Sequence, residues 1–278
     1  MSGNNSKIIA FNYFGGKFTW LEHLYENFPE RFTHLVDLFA GSMCVSLNYR
    51  GRVIKTANEI NADITNFFEI LRDREAELVR LLLLTPCSEQ EYNNCWEASN
   101  DPLENARRFY VRVRQSFFGL GAQRRNKGWH CAKQHVNAQG GETVSRWNNA
   151  IEKLHEVAEV IRMNFQIING SYADCIDRLD CRSTFFYADP PYPEECRNSY
   201  NDYRFEFSDE DHRLLSEKLH QIEGFGMISG YDCDLMNQLY HDWHKVMFPV
   251  KKNNIRSGEV QEVVWCNYNS QNKGGRLF

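Results

Sequence analysis

Apolar residues follow two alternating patterns along this chain. Short apolar or aromatic runs, which are typical of buried β-strands, lie at 34–39, 52–57, 165–170, 183–192, 225–231, 246–250 and 263–268. Between them, apolar residues at three- and four-residue steps or helix-start signals predict helices at 43–49, 61–84, 145–164, 208–222 and 233–242. Strands that alternate with helices predict an α/β fold, in which a sheet carries helices on both faces.

The stretch from residue 72 to residue 164 does not supply a strand pair for that sheet. Residues 85–118 continue the helical pattern, whereas residues 119–141 are rich in glycine, glutamine, asparagine and basic residues, which is typical of a loop or hairpin. We therefore predict a core domain built from residues 1–71 and 165–278. An inserted, mainly helical domain at 72–164 interrupts it.

Composition excludes several classes of protein. With 42% hydrophobic and 25% charged residues among 278, the chain can form a sizeable core and is not wholly disordered. No stretch approaches 18 uncharged apolar residues, and the first residues lack the layout of a signal peptide. These features predict a cytoplasmic protein without a membrane span.

The nine cysteines are odd in number, and no two have C-x-x-C spacing. We interpret them as small buried hydrophobic residues in a reducing compartment and predict no metal site. The His-Asp-Trp-His sequence at 241–244 has poor spacing for two ligands on one helix face, so a packing or surface role is expected there.

Polar and small residues follow four of the predicted strands. They are Asp37 to Ser42, then Glu59 about 20 residues on, the Asp-Pro-Pro-Tyr motif at 189–192, and Ser229 to Tyr231. In open α/β sheets, ligands bind at the carboxyl ends of the strands. An acidic residue at the position of Glu59 can accept hydrogen bonds from the two hydroxyl groups of a ribose. The alternative is an ordinary turn, because this combination of a small-residue turn and a later acidic residue also arises by chance.

The Asp-Pro-Pro-Tyr motif carries the most specific chemistry. Its prolines remove two backbone donors, so Asp189 and the carbonyl of Pro190 form a rigid pair of acceptors beside the ring of Tyr192. An exocyclic amino group needs two acceptors for its hydrogens and a ring that stacks on its base. The alternative is a plain Asp-capped turn with a core tyrosine.

Together, five ordered motifs resemble one known family. They are Tyr-x-Gly-Gly-Lys at 13–17, Asp-Leu-Phe-Ala-Gly-Ser at 37–42, Asn-Glu-Ile-Asn at 58–61, Ser-Tyr-Ala-Asp at 171–174 and Asp-Pro-Pro-Tyr at 189–192. In this order they resemble the Dam-type (D12-class) DNA adenine-N6 methyltransferases, particularly phage and prophage members. The motifs span residues 11–268, with the insertion lying before the last two motifs.

The resemblance implies a Rossmann-like S-adenosylmethionine-dependent methyltransferase fold with an inserted target-recognition domain. It implies transfer of a methyl group from S-adenosylmethionine to N6 of an adenine flipped out of double-stranded DNA. No membrane and no obligate protein partner are implied. By the family's motifs, the residues that contact the cofactor are Tyr13, Lys17, Asp37, Phe39, Gly41, Glu59, Tyr172 and Asp189. Those that act on the adenine are Asp189, Pro190 and Tyr192.

Charge along the chain supports a nucleic-acid partner, although the net charge of −5 does not. Residues 105–141 contain eight basic and no acidic residues, which leaves −13 for the rest of the chain. We expect DNA contacts from six of these side chains: Arg112, Arg114, Arg124, Arg125, Lys127 and Lys133. A solvated basic face is the alternative. A smaller basic loop at 251–258 fits a DNA contact and a surface hairpin equally well.

The chain departs from the family pattern at several positions. Met43 stands where the family often has a glycine, and Glu59 replaces the commoner aspartate. The insertion does not clearly reproduce the hairpin of the GATC-methylating members.

Two other functions remain as alternatives: methylation of RNA adenine or another amino group, and a non-catalytic DNA-binding decoy of methylase ancestry. Binding of S-adenosylmethionine would distinguish an enzyme from the decoy, which need not bind it.

Overall fold

The structure is a computed structural model that describes residues 7–13, 15–116, 128–131, 136–137, 140–196, 204–252 and 259–270. The helices within these ranges are α1 (Leu21–Glu26), α2 (Cys44–Asn48), α3 (Ala62–Asp73), α4 (Glu75–Leu84), α5 (Glu89–Asn94), α6 (Pro102–Arg114), α7 (Glu142–Glu152), α8 (Leu154–Asn164), α9 (Tyr172–Leu179), α10 (Asp209–His220) and α11 (Asp234–Leu239). The strands are β1 (His34–Asp37), β2 (Ile54–Asn58), β3 (Val136–Asn137), β4 (Gly140–Gly141), β5 (Phe165–Ile168), β6 (Thr184–Ala188), β7 (Phe225–Tyr231), β8 (His244–Met247), β9 (Lys251–Lys252), β10 (Glu259–Val260) and β11 (Glu262–Cys266).

The chain forms two compact units. The first comprises Met1–Lys17, Gly41–Asn48 and Asn61–Asn169, and the second comprises Phe18–Ala40, Tyr49–Ile60 and Gly170–Phe278. The mixture of sheet and helices confirms the predicted α/β class, as expected for a Rossmann-like methyltransferase.

The first unit is mainly helical. Its centre is α3, which packs against α4, α6 and α8 through buried aromatic rings. Phe11 lies 5.5 Å from Phe67 and 5.3 Å from Phe109 between ring centroids, and Phe67 stacks on Tyr110 at 5.4 Å. Such pairs gain stability beyond the area that they bury. The N-terminal segment therefore belongs to the same core as the helices of the predicted insertion.

The second unit contributes six neighbouring strands to the main sheet, in the order β2-β1-β6-β7-β11-β8. Strands β2, β1, β6 and β7 are parallel, whereas β11 runs antiparallel to both β7 and β8. Every residue of β6 and of β11 is buried, and so are the last four of β2. Parallel order brings the carboxyl ends of four strands to one edge of the sheet.

Two expected helices are each divided in the structure. The predicted helix at 61–84 is α3 and α4, which meet at Arg74, whose φ of −134° and ψ of 36° are not helical. The predicted helix at 145–164 is α7 and α8, separated by Lys153. Apolar periodicity continues across a one-residue break, so the pattern cannot reveal it.

Candidate active site

The carboxyl ends of the four parallel strands bring the predicted strand-end residues to one edge of the sheet. Asp37 is the last residue of β1, Glu59 follows β2, Asp189 follows β6 and Tyr231 ends β7. The register pairs Asp37 with Ala57 on one side and with Tyr187 on the other. Residues that are far apart in sequence thus become neighbours through strand order alone.

Backbone hydrogen bonds fix the turn that follows β1. The amide of Leu38 donates to the carbonyl of Tyr187 at 2.9 Å, and the amide of Ala40 donates to the carbonyl of Asn58 at 3.0 Å. The side-chain amide of Asn58 donates to the carbonyls of Leu38 (3.0 Å) and Gly170 (3.2 Å). One buried side chain therefore holds the segments after β1 and before α9 beside the end of β2.

Asn58 also presents a buried acceptor. The residue is 1% exposed, and its Oδ1 has no hydrogen-bond partner within the described part of the chain. A buried polar atom that lacks a partner costs free energy, which a bound ligand with an N–H or O–H group would recover. Next to it in the chain, the Glu59 carboxylate is also buried. Two acceptors thus lie at the end of β2, at the edge where a ligand is expected.

Three aromatic rings form a cluster at the same edge. Phe39 lies 5.6 Å from Tyr172 and 5.6 Å from Phe207, and Tyr172 lies 5.9 Å from Phe207, between ring centroids. The structure therefore brings together two residues of the predicted cofactor set. Phe207, which lies just before α10, was not predicted, because no local motif distinguishes it from an ordinary core residue. Such rings can stack on a base.

Asp189 is oriented by a chain of hydroxyl groups. Its Oδ1 accepts a hydrogen bond from Ser229 Oγ at 2.9 Å, and Ser229 Oγ lies 3.0 Å from the hydroxyl of Tyr187. Ser229 and Tyr187 are both buried. Burial, followed by the charge of Asp189, raises the pKa of Tyr187 well above its ordinary value, so that hydroxyl stays neutral. Ser229 was predicted only to line this cleft, and it in fact contacts the carboxylate.

Tyr192 is buried and held at both ends. Its ring packs against that of Tyr231 at a centroid distance of 4.6 Å and an interplanar angle of 74°. Its hydroxyl donates a hydrogen bond to Glu262. Burial, followed by the negative charge of Glu262, raises the pKa of Tyr192 well above its ordinary value. The hydroxyl is thus a permanent donor at neutral pH.

Glu262 comes to the site through strand pairing. It is the first residue of β11, and antiparallel pairing with β7 places it opposite Tyr231. It is 4% exposed, which is unusual for a carboxylate and requires hydrogen-bond partners. Sequence reasoning missed this residue, because a single glutamate before an apolar run carries no signal until the strand register is known.

The remaining predicted cofactor residues lie in the first unit. Gly41 has a φ of +48°, and a Cβ there would lie 2.9 Å from the ring of Tyr13, so only glycine fits this close approach. Lys17 is buried, and its Nζ donates to the carbonyl of Gly15 at 3.1 Å. Met43 has a φ of +56°, a left-handed conformation that favours glycine. A glycine is often found at this position in the family that the motifs resemble.

The predicted DNA-contacting side chains divide into two groups. Arg124, Arg125, Lys127 and Lys133 lie outside the described residues, as does most of the basic loop at 251–258. Arg114 donates to the carbonyl of Arg146 at 3.3 Å.

Arg112 is engaged within the first unit. It donates to Asp63 at 2.9 Å, and its guanidinium lies 5.3 Å from the centre of the Trp96 ring. These contacts give Arg112 a packing role, whatever it does toward DNA.

Carboxylates from outside residues 105–141 neutralise part of the positive charge of that segment. Arg107 pairs with Glu104 at 2.7 Å and with Glu91 at 2.6 Å, and Arg108 pairs with Glu104 at 2.7 Å. Both glutamates precede the stretch in sequence and are neighbours of it in space. Ion pairs therefore compensate part of the +8 charge.

Comparison with known proteins relates most of this chain to one family. The family model of the D12 class N6 adenine-specific DNA methyltransferases matches residues 13–255. The Type II methyltransferase M.FokI of Planomicrobium okeanokoites is 26% identical over 307 aligned residues, which cover 97% of this chain and 44% of that protein. This chain thus spans less than half the length of that relative.

Two solved structures show a distant likeness. One is a conserved hypothetical protein of Streptococcus pyogenes, with a TM-score of 0.33, 10% identity and coverage of 88% of this chain and 94% of that one. The other is a candidate methylase of Haemophilus influenzae, with a TM-score of 0.37, 10% identity and coverage of 91% and 89%. Separately, no helix in the described part of the chain is long and apolar enough to cross a membrane.

Proposed function

This chain belongs to the D12 class of N6 adenine-specific DNA methyltransferases, and from that membership we propose that it methylates N6 of an adenine flipped out of double-stranded DNA. The methyl donor is S-adenosylmethionine. The observation that carries the proposal is the Tyr187–Ser229–Asp189 hydrogen-bond chain behind the Asp-Pro-Pro-Tyr motif, since it orients one carboxylate at a strand end. The reaction takes place in the cytoplasm, at the nucleoid.

The residues at the sheet edge fit the cofactor by their chemistry. Asn58 Oδ1 is buried and has no partner among the described residues, and Glu59, the next residue in the chain, is buried as well. Both accept hydrogen bonds, as the hydroxyl groups of a ribose require. Phe39 and Tyr172 supply rings for the adenine of the cofactor. When bound, S-adenosylmethionine supplies an electrophilic methyl group.

Tyr13, Lys17, Asp37 and Gly41 complete the proposed cofactor set. Gly41 lets the backbone of the turn after β1 lie directly against the Tyr13 ring, where a Cβ would not fit. Asp37 is buried at the end of β1.

Asp189 and Pro190 act on the amino group of the target adenine. The carboxylate of Asp189 and the carbonyl of Pro190 accept the two N6 hydrogens, which directs the nitrogen lone pair toward the methyl donor. Tyr192 stacks on the target base, and Tyr231 and Glu262 fix its ring. The gain comes from proximity, orientation and stabilisation of the positive charge that develops on nitrogen.

The proton balance involves the same carboxylate. N6 gains a methyl group, whose bond to the sulfur of the donor breaks, and it loses one proton, which Asp189 accepts and then releases to solvent. Ser229 donates a hydrogen bond to Asp189 and so holds the carboxylate in position for this transfer.

The inserted segment 72–164 is proposed to recognise the target sequence, with base flipping as the route to the amino group. Arg112, Arg114, Arg124, Arg125, Lys127 and Lys133 are proposed to contact DNA. Likeness to a Type II methyltransferase suggests that the activity protects DNA beside a restriction enzyme, in a bacterium or a phage-infected cell.

The decisive test is the substitution Asp189→Asn. The amide that it introduces would keep an acceptor for Ser229 but lose the charge, so we expect the rate of methyl transfer to fall about 10²- to 10⁴-fold. Transfer of tritiated methyl groups to mixed-sequence DNA measures the rate, and isothermal titration measures S-adenosylmethionine binding. Asp242→Asn is the matched control, because Asp242 is exposed and pairs with His220. Undiminished methylation by Asp189→Asn would refute the assignment.

A further inference from the structure

Three potential metal ligands converge beside the candidate active site. The side-chain ligand atoms of Glu195, Cys196 and Cys233 all lie within 4.8 Å of one another. Two thiols and a carboxylate in one place form a donor set that a thiophilic divalent cation prefers.

The fold, and no sequence motif, assembles this group. Glu195 and Cys196 lie in a short 3-10 turn, Glu194–Cys196, which follows the Asp-Pro-Pro-Tyr motif directly. Cys233 precedes α11 and follows the end of β7 by two residues. Because β6 and β7 are parallel neighbours, the segments after them meet at the same edge. C-x-x-C spacing therefore never reveals the site.

The turn and the carboxylate are held in place by backbone groups. The amide of Cys196 donates to the carbonyl of Pro193 at 3.0 Å, which closes the turn. The amide of Leu235 donates to Glu195 Oε1 at 3.1 Å, which orients the carboxylate. Glu195 is thus held at the start of α11.

We propose that Glu195, Cys196 and Cys233 bind a single thiophilic divalent cation of the Zn²⁺ class, with water as a fourth ligand. Ligands about 2.3 Å from a tetrahedral Zn²⁺ lie roughly 3.8 Å apart, so the observed separations need to contract by no more than about 1 Å. Each thiol loses its proton on binding and forms a metal–thiolate bond, and the two protons pass to the buffer. The cation would join the segments after β6 and β7.

The test is metal binding by the whole chain, reduced with a phosphine and stripped with a chelator. We expect wild type to bind one Co²⁺ and to show a near-ultraviolet thiolate-to-cobalt absorption band, which added Zn²⁺ abolishes. Cys196→Ser and Cys233→Ser should each lose the band, and Glu195→Gln should bind at least tenfold more weakly. Zn²⁺ should raise the Tm of wild type and leave that of Cys233→Ser unchanged.

Cys181→Ser is the matched control, because Cys181 is an exposed cysteine of the same unit, near Ser183 and Thr184. Urea unfolding without metal shows whether each variant folds. The proposal fails if wild type shows no thiolate band, or if both folded cysteine variants bind Co²⁺ as tightly as wild type. Neither readout depends on methylation, so this result and that of Asp189→Asn are independent.

Discussion

At the scale of single residues, Tyr192 shows how the site is stiffened. Its ring packs against Tyr231, and its hydroxyl donates to the buried carboxylate of Glu262. Hydrogen bonds to charged groups contribute about 1.5–3 kcal/mol each. This residue therefore stabilises the fold as well as contributing a ring to the proposed reaction.

Tyr192→Phe separates these two roles, because it removes the hydroxyl and keeps the ring. We expect the free energy of unfolding to fall by about 1.5–3 kcal/mol. We also expect kcat for methylation to fall about tenfold, because the ring is less well oriented; this corresponds to a rise of ~1.4 kcal/mol in the activation free energy. Urea unfolding and tritium transfer measure the two effects.

Tyr268→Phe is the control for this prediction. Its hydroxyl donates to the backbone carbonyl of Asn27 at 2.9 Å, so its loss should cost about 0.5–1.5 kcal/mol and leave kcat unchanged. Equal stability of Tyr192→Phe and wild type would show that the bond to Glu262 contributes nothing.

At the scale of elements, α6 is attached to its neighbours by ion pairs. Arg107 of α6 pairs with Glu104 one turn earlier and with Glu91 of α5. The hydrogen bond from Arg107 is the main reason that the pKa of Glu104 falls from 4.5 to about 2. The folded state therefore favours the ionised carboxylate, and its stabilisation is complete above pH 4.5 and lost as the pH falls toward about 2.

Glu104→Gln tests this pH dependence. The variant should be less stable than wild type by about 1–2 kcal/mol at pH 7, since the pair is partly exposed. The difference should shrink progressively below about pH 4.5. Urea unfolding at several pH values between about 7 and 3.5 measures it. Glu97→Gln, at an exposed position, is the control; a difference for Glu104→Gln that does not change with pH would contradict the explanation.

Sequence predicted most elements, because local signals determine them. The strand at 225–231 has the bounds expected from its apolar run, and Ser208 caps α10 in a capping box with Asp211. Helix α9 was not predicted as a helix, although Ser171 provides an N-cap signal of the same kind as Ser208. The helices at 61–84 and 145–164 were predicted, but the break inside each was not, because apolar periodicity continues across one non-helical residue.

The candidate site was predictable only where a motif carried it. Asp189 and Tyr192 lie in a motif with a chemical meaning, whereas Glu262 and Phe207 are ordinary residues in sequence. Their roles depend on strand register and on packing between distant segments. The cysteines show the same limit: four of the nine are buried as expected, and Cys196 and Cys233 are instead half-buried neighbours.

At the scale of the whole molecule, a count of charges along the sequence differs from their distribution in space. Arg107, Arg108 and Arg112 are paired with carboxylates that lie outside residues 105–141. Electrostatic attraction to DNA should therefore depend most on the basic residues nearer the middle of this stretch, of which Arg124 and Arg125 are adjacent. Release of counterions makes such binding sensitive to salt.

The double variant Arg124→Ala/Arg125→Ala should weaken DNA binding and reduce its salt dependence. Each phosphate contact contributes about 0.9 to the slope of log K against log salt, so the slope should become shallower by about 2. Fluorescence anisotropy of labelled duplex DNA at several salt concentrations measures the slope, and S-adenosylmethionine affinity should not change.

Arg80→Ala is the control for this prediction, because Arg80 is an exposed basic residue of α4 outside residues 105–141. It should leave the slope as it is in wild type. An unchanged slope in the double variant would exclude Arg124 and Arg125 from the DNA contact.

The pairing of β1 with β6 also determines when the protein can fold. His34 is opposite Thr184, so the two central strands are separated by more than half of the chain. During synthesis on the ribosome, the edge of β1 that pairs with β6 stays unpaired until β6 has been synthesised. Non-local pairing of this kind slows folding, and an unpaired edge invites association with other chains. Slower translation between the two strands should therefore increase aggregation of the nascent chain, even though the mature protein is unaltered.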